Sequence, residues 1–138
     1  MFTPEERDRL RSDLLEHATT DRRISVAAIT GSAAAGREDR WSDIDLAFGV
    51  INGAELPNVL SDWSAHMYHQ HLALHHFDVI SGAWVYRVFF LASTLQVDLA
   101  FVSATEFRAF PSARPSSRVL GQPARNGSFR TMTMFAPC

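Results

Sequence analysis

Apolar residues recur along the chain at two spacings, every third or fourth residue and every second residue, and these predict helices and strands respectively. The stripe Leu10, Leu14 and Ala18, preceded by Thr3-Pro4, indicates an amphipathic helix. The predicted elements are a helix from residue 3 to about 20, a strand over 24–30, a short helix at 33–35, a strand over 43–50, a helix over 55–70 and strands over 76–80, 84–92 and 95–102. This order predicts an α/β (α+β) fold with a mixed β-sheet of about five strands flanked by helices.

The regular pattern ends after Phe107. Residues 110–138 are rich in proline, serine, glycine and arginine and show neither a helical nor a strand period. We therefore expect residues 1–109 to form one domain and residues 110–138 to form an irregular, poorly ordered tail. The pattern leaves open whether this is a natural minimal domain or a chain truncated at its C-terminus.

A glycine turn and two aspartates form the most informative stretch. Gly31-Ser32 is followed, ten residues later, by Asp43-Ile44-Asp45 at the start of a predicted strand. Successive side chains of a strand point to opposite faces, so Asp43 and Asp45 share one face. Two adjacent carboxylates repel each other, and a pair of divalent cations would remove that repulsion.

A third carboxylate lies in a later strand. Asp98 stands between Val97 and Leu99 in an alternating apolar pattern, which favours a place in the interior of the sheet. Asp78 has similar apolar neighbours, but it precedes a Ser-Gly turn and is better explained as a strand-end residue. We rank Asp98 first and leave Asp78 as the alternative third ligand.

These three motifs resemble the nucleotidyltransferase fold of the DNA polymerase β superfamily. Within it, the sequence is similar to aminoglycoside nucleotidyltransferase-like proteins and to minimal nucleotidyltransferase (MNT) antitoxins, over roughly residues 22–105. The resemblance implies that Gly31 and Ser32 contact the phosphates of a nucleoside triphosphate. It also implies that Asp43, Asp45 and Asp98 hold two Mg²⁺ ions and act as the catalytic residues, with Asp98 helping to deprotonate the acceptor.

The activity implied is transfer of a nucleoside monophosphate to a hydroxyl group, with release of pyrophosphate. ATP is the favoured donor, and the acceptor is a small molecule or a protein. Two alternatives remain: an MNT-type antitoxin that neutralises a partner toxin by binding it, and a catalytically inactive nucleotide-binding remnant. Ser32 could instead cap a helix, and Asp43 could cap a turn.

Composition narrows the class of protein further. A net charge of −2 argues against a nucleic-acid-binding surface, and no apolar run is long enough for a membrane span. All 13 basic residues are arginine, which excludes a lysine-dependent phosphate loop. The N-terminus does not resemble a secretory signal and the single cysteine is Cys138, so we expect a cytoplasmic protein.

Two further expectations concern histidines and assembly. Five histidines between residues 66 and 76 have spacings that fit no compact zinc site, so zinc is disfavoured. A sheet face left bare by the lack of a helical C-terminal domain would favour a homodimer.

Overall fold

Seven strands and four helices make up the part of the chain that the computed structural model describes, residues 1–109, 118–123 and 129–131. In chain order these are α1 (Pro4–Thr20), β1 (Ile24–Ile29), α2 (Gly31–Ala34), β2 (Ile44–Val50), α3 (Leu56–Gln70), β3 (Ala73–Ser81), β4 (Trp84–Leu91), β5 (Gln96–Ser103), α4 (Ala104–Ala109), β6 (Arg118–Pro123) and β7 (Phe129–Thr131). All strands belong to one sheet in the order β3-β4-β5-β2-β1-β6-β7. The predicted α+β fold with a mixed sheet is confirmed.

The helix α1 begins as its sequence predicts. The Thr3 hydroxyl accepts a hydrogen bond from the backbone N–H of Glu6 at 3.1 Å, and Pro4 occupies the first turn. Leu10, Leu14 and Ala18 are buried against the sheet. Among the described residues, no helix is both long and apolar enough to cross a membrane.

The main core lies between the sheet and the helices α1 and α3. At its centre the rings of Phe48, Trp63 and Phe101 pack together, with centroids 4.9 Å apart for Phe48–Trp63 and 5.4 Å apart for Phe48–Phe101. Aromatic pairs at such distances contribute about 0.5–1.5 kcal/mol beyond the burial of their area. This core makes one face of β2 and β5 rigid, so residues of the opposite face are held in place.

The opposite face is covered at one end by α4. A Cβ built on Gly49 would lie 2.4 Å from Val26 Cγ1 and 3.3 Å from Ala104 Cα. Glycine at this position therefore lets α4 lie close against β2, and Phe107 joins a second cluster with Trp84. The helix covers the C-terminal end of β2 and not the end that carries Asp45.

The strands β6 and β7 correct the expectation of an irregular tail. β6 pairs antiparallel with β1, with Leu120 opposite Ala27, so β1 lies inside the sheet. The local sequence does not reveal this strand, because it contains Gly121 and Pro123, which are unfavourable in a sheet interior. The domain division at residue 109 stays a prediction, and residues 110–117, 124–128 and 132–138 lie outside the described part of the chain.

The helix α4 was also missed, although the sequence carries a signal for it. The Ser103 hydroxyl accepts a hydrogen bond from the backbone N–H of Glu106 at 3.3 Å. Serine followed three residues later by glutamate is the spacing of a capping box. Six residues are too few to show a helical period, so this cap was the only local indication.

Candidate functional site

Asp45 and Asp98 lie side by side on neighbouring strands. β2 and β5 run parallel, in a register that pairs Asp45 with Asp98. Paired residues of adjacent strands point to the same face, and adjacent strands lie about 4.8 Å apart. Asp98 Oδ1 also accepts a hydrogen bond from Gln96 Nε2 at 3.0 Å. The structure thus brings together two carboxylates that are far apart in the sequence.

Gly31 packs directly against the carboxyl group of Asp45. Its φ is +69°, and a Cβ at this position would lie 2.3 Å from Asp45 Oδ2. The backbone N–H of Thr30 donates a hydrogen bond to the carbonyl of Asp45 at 3.0 Å. Glycine is therefore required twice here, for its left-handed conformation and for the space that the carboxylate occupies.

Ser32 lies in the first turn of the four-residue helix α2. The N-cap position is held by Thr30, which makes no side-chain capping bond. The alternative in which Ser32 merely caps this helix is therefore not supported. Both residues of the predicted phosphate-binding pair, Gly31 and Ser32, lie at the turn that borders Asp45.

Asp43 lies one residue before the strand on which the sequence placed it, since β2 begins at Ile44. The preceding turn is formed by other residues: Asp39 Oδ1 accepts hydrogen bonds from the backbone N–H of Trp41 at 2.9 Å and from Ser42 Oγ at 3.1 Å. Asp43 is half-buried and close enough to Asp98 to be affected by its charge. A turn-capping role for Asp43 is therefore not supported.

The charged forms of Asp43 and Asp45 are disfavoured. Burial raises the pKa of Asp45 to about 7, and a hydrogen bond to Asp98 and the charges of Asp98 and Asp43 add to the shift. Burial, followed by the charge of Asp98, also raises the pKa of Asp43. Like charges in a partly desolvated place favour either a proton or a bound cation. Carboxyl groups whose pKa values are raised by burial and by each other's charge are typical of a functional site.

Two arginines of α1 hold the loop that leads from the glycine turn to Asp43. Arg7 is only 4% exposed, and its Nη2 lies 3.1 Å from Glu38 Oε1 while its Nη1 donates to the carbonyl of Asp39. Arg11 pairs with the second carboxylate oxygen of Glu38. The positive charge of Arg11 also lowers the pKa of Asp45, against the larger effects that raise it. Sequence reasoning did not identify this anchor.

Asp78 lies on the other face of the sheet. It is paired across the strands with Arg87, whose Nε and Nη2 each donate to its carboxylate at 2.7 Å. The side-chain hydrogen bonds from Arg87 lower the pKa of Asp78. Since Arg87 is opposite Leu99 and Val88 is opposite Asp98, the structure brings Asp98, and not Asp78, to the aspartate pair.

The histidines have local partners. His66 and His71 face each other with their Nε2 atoms 3.3 Å apart, and His76 Nδ1 lies 2.7 Å from the Tyr68 hydroxyl. Within residues 1–109 and the described strand segments, no three His, Cys, Asp or Glu side chains form a group arranged to hold a metal ion. Among these described residues, neither the histidines nor the three aspartates form such a group.

Comparison with known proteins identifies the fold. No family model and no curated protein matches the sequence. The aminoglycoside 6-adenyltransferase from Bacillus subtilis superimposes with a TM-score of 0.60 at 13% identity, over 91% of this chain and 43% of that one. The polymerase core of TRAMP, an RNA surveillance complex, superimposes with a TM-score of 0.51 at 16% identity, over 75% and 34% respectively. The chain spans less than half the length of either, and it has the nucleotidyltransferase fold that its motifs predict.

Proposed function

We propose that this chain is a Mg²⁺-dependent nucleotidyltransferase that transfers AMP from ATP to a hydroxyl acceptor and releases pyrophosphate. The observation that carries the proposal is the gathering of Asp43, Asp45 and Asp98 beside the Gly31 turn. The fold shared with an adenyltransferase supports the class of reaction. A small molecule and a protein side chain are the two acceptor classes proposed.

The chemistry of the site fits Mg²⁺. Carboxylate oxygens are the ligands this ion prefers, and burial, together with neighbouring negative charge, raises the pKa of Asp43 and of Asp45. Mg²⁺ in such sites keeps several waters and takes one or two carboxylates together with phosphate oxygens of the substrate. A preformed group of three protein ligands, which the described residues do not contain, is therefore not required. Bound Mg²⁺ would supply charge stabilisation for the attacking and leaving oxygens.

In this proposal the backbone at Gly31 and Ser32 receives the triphosphate, because a residue without Cβ lets phosphate approach the chain. Asp43 and Asp45 would hold the cations. The acceptor oxygen bonds to the α-phosphorus, the bond from that phosphorus to the β-phosphate oxygen breaks, and pyrophosphate leaves. Asp98 accepts the proton of the acceptor hydroxyl.

Binding of the donor can be tested without knowing the acceptor. Calorimetry with a non-hydrolysable ATP analogue should show Mg²⁺-dependent binding by the wild type and none by Asp45→Asn. Asp62→Asn is the matched control, because Asp62 is exposed on α3 and pairs with Arg23, away from the aspartate pair. Equal binding by wild type and Asp45→Asn would contradict the assigned site.

Transfer itself is tested by pyrophosphate release and by incorporation of labelled AMP with hydroxyl-bearing acceptors. We expect Asp45→Asn and Asp98→Asn to lower the rate by about 100-fold or more, because each removes several kcal/mol of transition-state stabilisation. Binding of the analogue without transfer to any acceptor would instead favour an antitoxin-like or inactive nucleotide-binding protein.

A further inference from the structure

The outer edge of β3 is long, apolar and open. β3 lies at one end of the sheet, pairs with β4 on one side, and is joined on the other side by no strand of the described residues. It is nine residues long, and Leu74, Phe77, Val79 and Ile80 are 67%, 47%, 48% and 72% exposed. The backbone N–H and C=O groups of such an edge can pair with another strand.

The usual protections of an edge strand are missing from the middle of β3. The segment Ala73–Ser81 contains no lysine, arginine or proline, and its one irregularity lies at its start, between Ala73 and His75. Its single charged residue, Asp78, is held by Arg87 of β4. Natural edges are commonly blocked by just these devices, so an edge that is regular and open from His75 to Ser81 indicates an interface.

We propose that two copies of this chain associate through antiparallel pairing of their β3 edges, about a two-fold axis that passes beside Phe77. In this register Phe77 faces Phe77 of the second copy, His75 faces Val79, and His76 faces Asp78, and the bulge at Leu74 lies beyond these pairs. The two Phe77 rings thus meet at the axis, and the Asp78 carboxylate, which Arg87 holds, lies beside an imidazole and not beside a second carboxylate. Cross-strand pairs of these kinds each stabilise a sheet by about 0.2–1 kcal/mol.

Neighbouring registers lack this complementarity. With the axis moved by one residue towards His76, Asp78 would face the β-bulge at Leu74 of the second copy instead of an imidazole. With the axis moved by one residue towards Ser81, the two Asp78 carboxylates would face each other, and like charges directly opposite are destabilising. The sequence of β3 therefore selects Phe77 as the centre.

The two-fold axis is perpendicular to the sheet, because directly opposite residues of antiparallel strands point to the same face. Both clusters of Asp43, Asp45 and Asp98 then lie on the same face of one continuous sheet. Between them lie the side chains of His75 and Phe90, which stack at 4.8 Å, and of Phe77 and Val79. The pairing itself does not depend on the proposed transferase activity.

The oligomeric state is measured first, by analytical ultracentrifugation of the full chain at about 10–100 μM. We expect a dimer for the wild type and a monomer for Phe77→Lys, which would place two ammonium groups opposite each other. Ile51→Lys, a change at an exposed apolar residue outside β3, should stay dimeric. Far-UV circular dichroism verifies that each variant is folded. A monomeric wild type, or a Phe77→Lys variant that stays dimeric, would overturn the proposal.

The register is measured by disulfide cross-linking in a Cys138→Ser background. Phe77→Cys should form a disulfide-linked dimer on mild oxidation, because directly opposite residues have the Cα separation that a disulfide needs. Val79→Cys, equally exposed on the same face, should not, since its two copies would be separated by four positions along the strands. Equal cross-linking of the two variants would overturn the register.

Discussion

Gly31 and Gly36 share a φ of +69° but have different surroundings. A Cβ on Gly31 would overlap Asp45 Oδ2, whereas a Cβ on Gly36 would meet no atom within 4 Å. Alanine at either position incurs the left-handed strain of about 1–2 kcal/mol, and only Gly31→Ala also displaces the carboxylate. We therefore expect Gly31→Ala to lose Mg²⁺-dependent binding of an ATP analogue and Gly36→Ala to retain it.

Urea unfolding and calorimetry on the two variants test this pair. Gly31→Ala should be the less stable by a further 1 kcal/mol or so, because the overlap with Asp45 must be relieved by movement. Identical stability and identical analogue affinity would show that the close approach of Gly31 to Asp45 has no consequence.

Asp45 should make the stability of the metal-free protein depend on pH. Its pKa is about 7 in the folded chain, against 3.8 for an unperturbed group. The folded state thus binds more protons between pH 4 and pH 7, and its stability falls as pH rises through that window. Asp45→Asn removes this loss. In EDTA, we expect the free energy of unfolding of Asp45→Asn, relative to that of the wild type, to rise by about 1–2 kcal/mol between pH 5 and pH 8. The full pKa shift would give a larger change, but solvent screens part of it.

Urea unfolding at the two pH values provides the measurement, with Asp62→Asn as a control that leaves the pH dependence unchanged. If the free energy of unfolding changes between pH 5 and pH 8 by the same amount in the wild type and in Asp45→Asn, the raised pKa does not belong to Asp45.

The sequence indicated which side chains share a face of the sheet, but it did not indicate which distant residues lie around them. Alternation along β5 placed Asp98 on one face, and the parallel register with β2 then set it beside Asp45. The contact of Gly31 with Asp45 and the approach of Arg11 depend on how α1 and the turn pack against the sheet. No local pattern records such contacts, because they join residues that are distant in the chain.

The contacts that join α1 to the loop over residues 37–42 are expected to contribute to the stability of the protein. Arg7 is buried, and its removal would leave Glu38 with Arg11 alone and the Asp39 carbonyl without this donor. Breaking one side of such an arrangement costs about 3–5 kcal/mol when fully buried. Since Glu38 is partly exposed, we expect Arg7→Ala to lower the free energy of unfolding by about 2–3 kcal/mol.

Arg9→Ala is the matched control, because Arg9 is exposed on the same helix. Thermal and urea unfolding of both variants provide the test. If Arg7→Ala unfolds within 0.5 kcal/mol of Arg9→Ala, the loop is held by other contacts.

Long periodic elements were predictable and short or distant ones were not. α1, α3 and the five strands from β1 to β5 follow their apolar spacing, with boundaries shifted by a few residues at β3 and β5. α4 is too short to show a period. β6 is stabilised by pairing with β1, and this tertiary contact overrides a local sequence that is poor for a strand.

Strand β6 covers the edge of β1, and the stability of the whole molecule is expected to depend on this pairing. A chain ending at residue 109 would leave β1 as an exposed edge strand next to β2, whereas a chain ending at residue 131 retains both β6 and β7. We expect the shorter chain to be less stable by several kcal/mol and to aggregate, because exposed edges recruit other strands. Urea midpoints and light scattering compare the two. Equal urea midpoints and equal light scattering of the two chains would instead support a domain boundary near residue 109.

The parallel pairing of β2 with β5 also has a consequence for how the molecule folds. Antiparallel hairpins such as β3–β4 can form from neighbouring segments, but β2 and β5 meet only after about fifty intervening residues have been brought into place. Contacts of such long range form slowly, because chain entropy is lost before they contribute any stability. We therefore expect Asp45 and Asp98 to come into contact late in folding, when their repulsion would oppose completion of the sheet. A cation that binds the two carboxylates as they meet would stabilise the folding transition state as well as the folded protein.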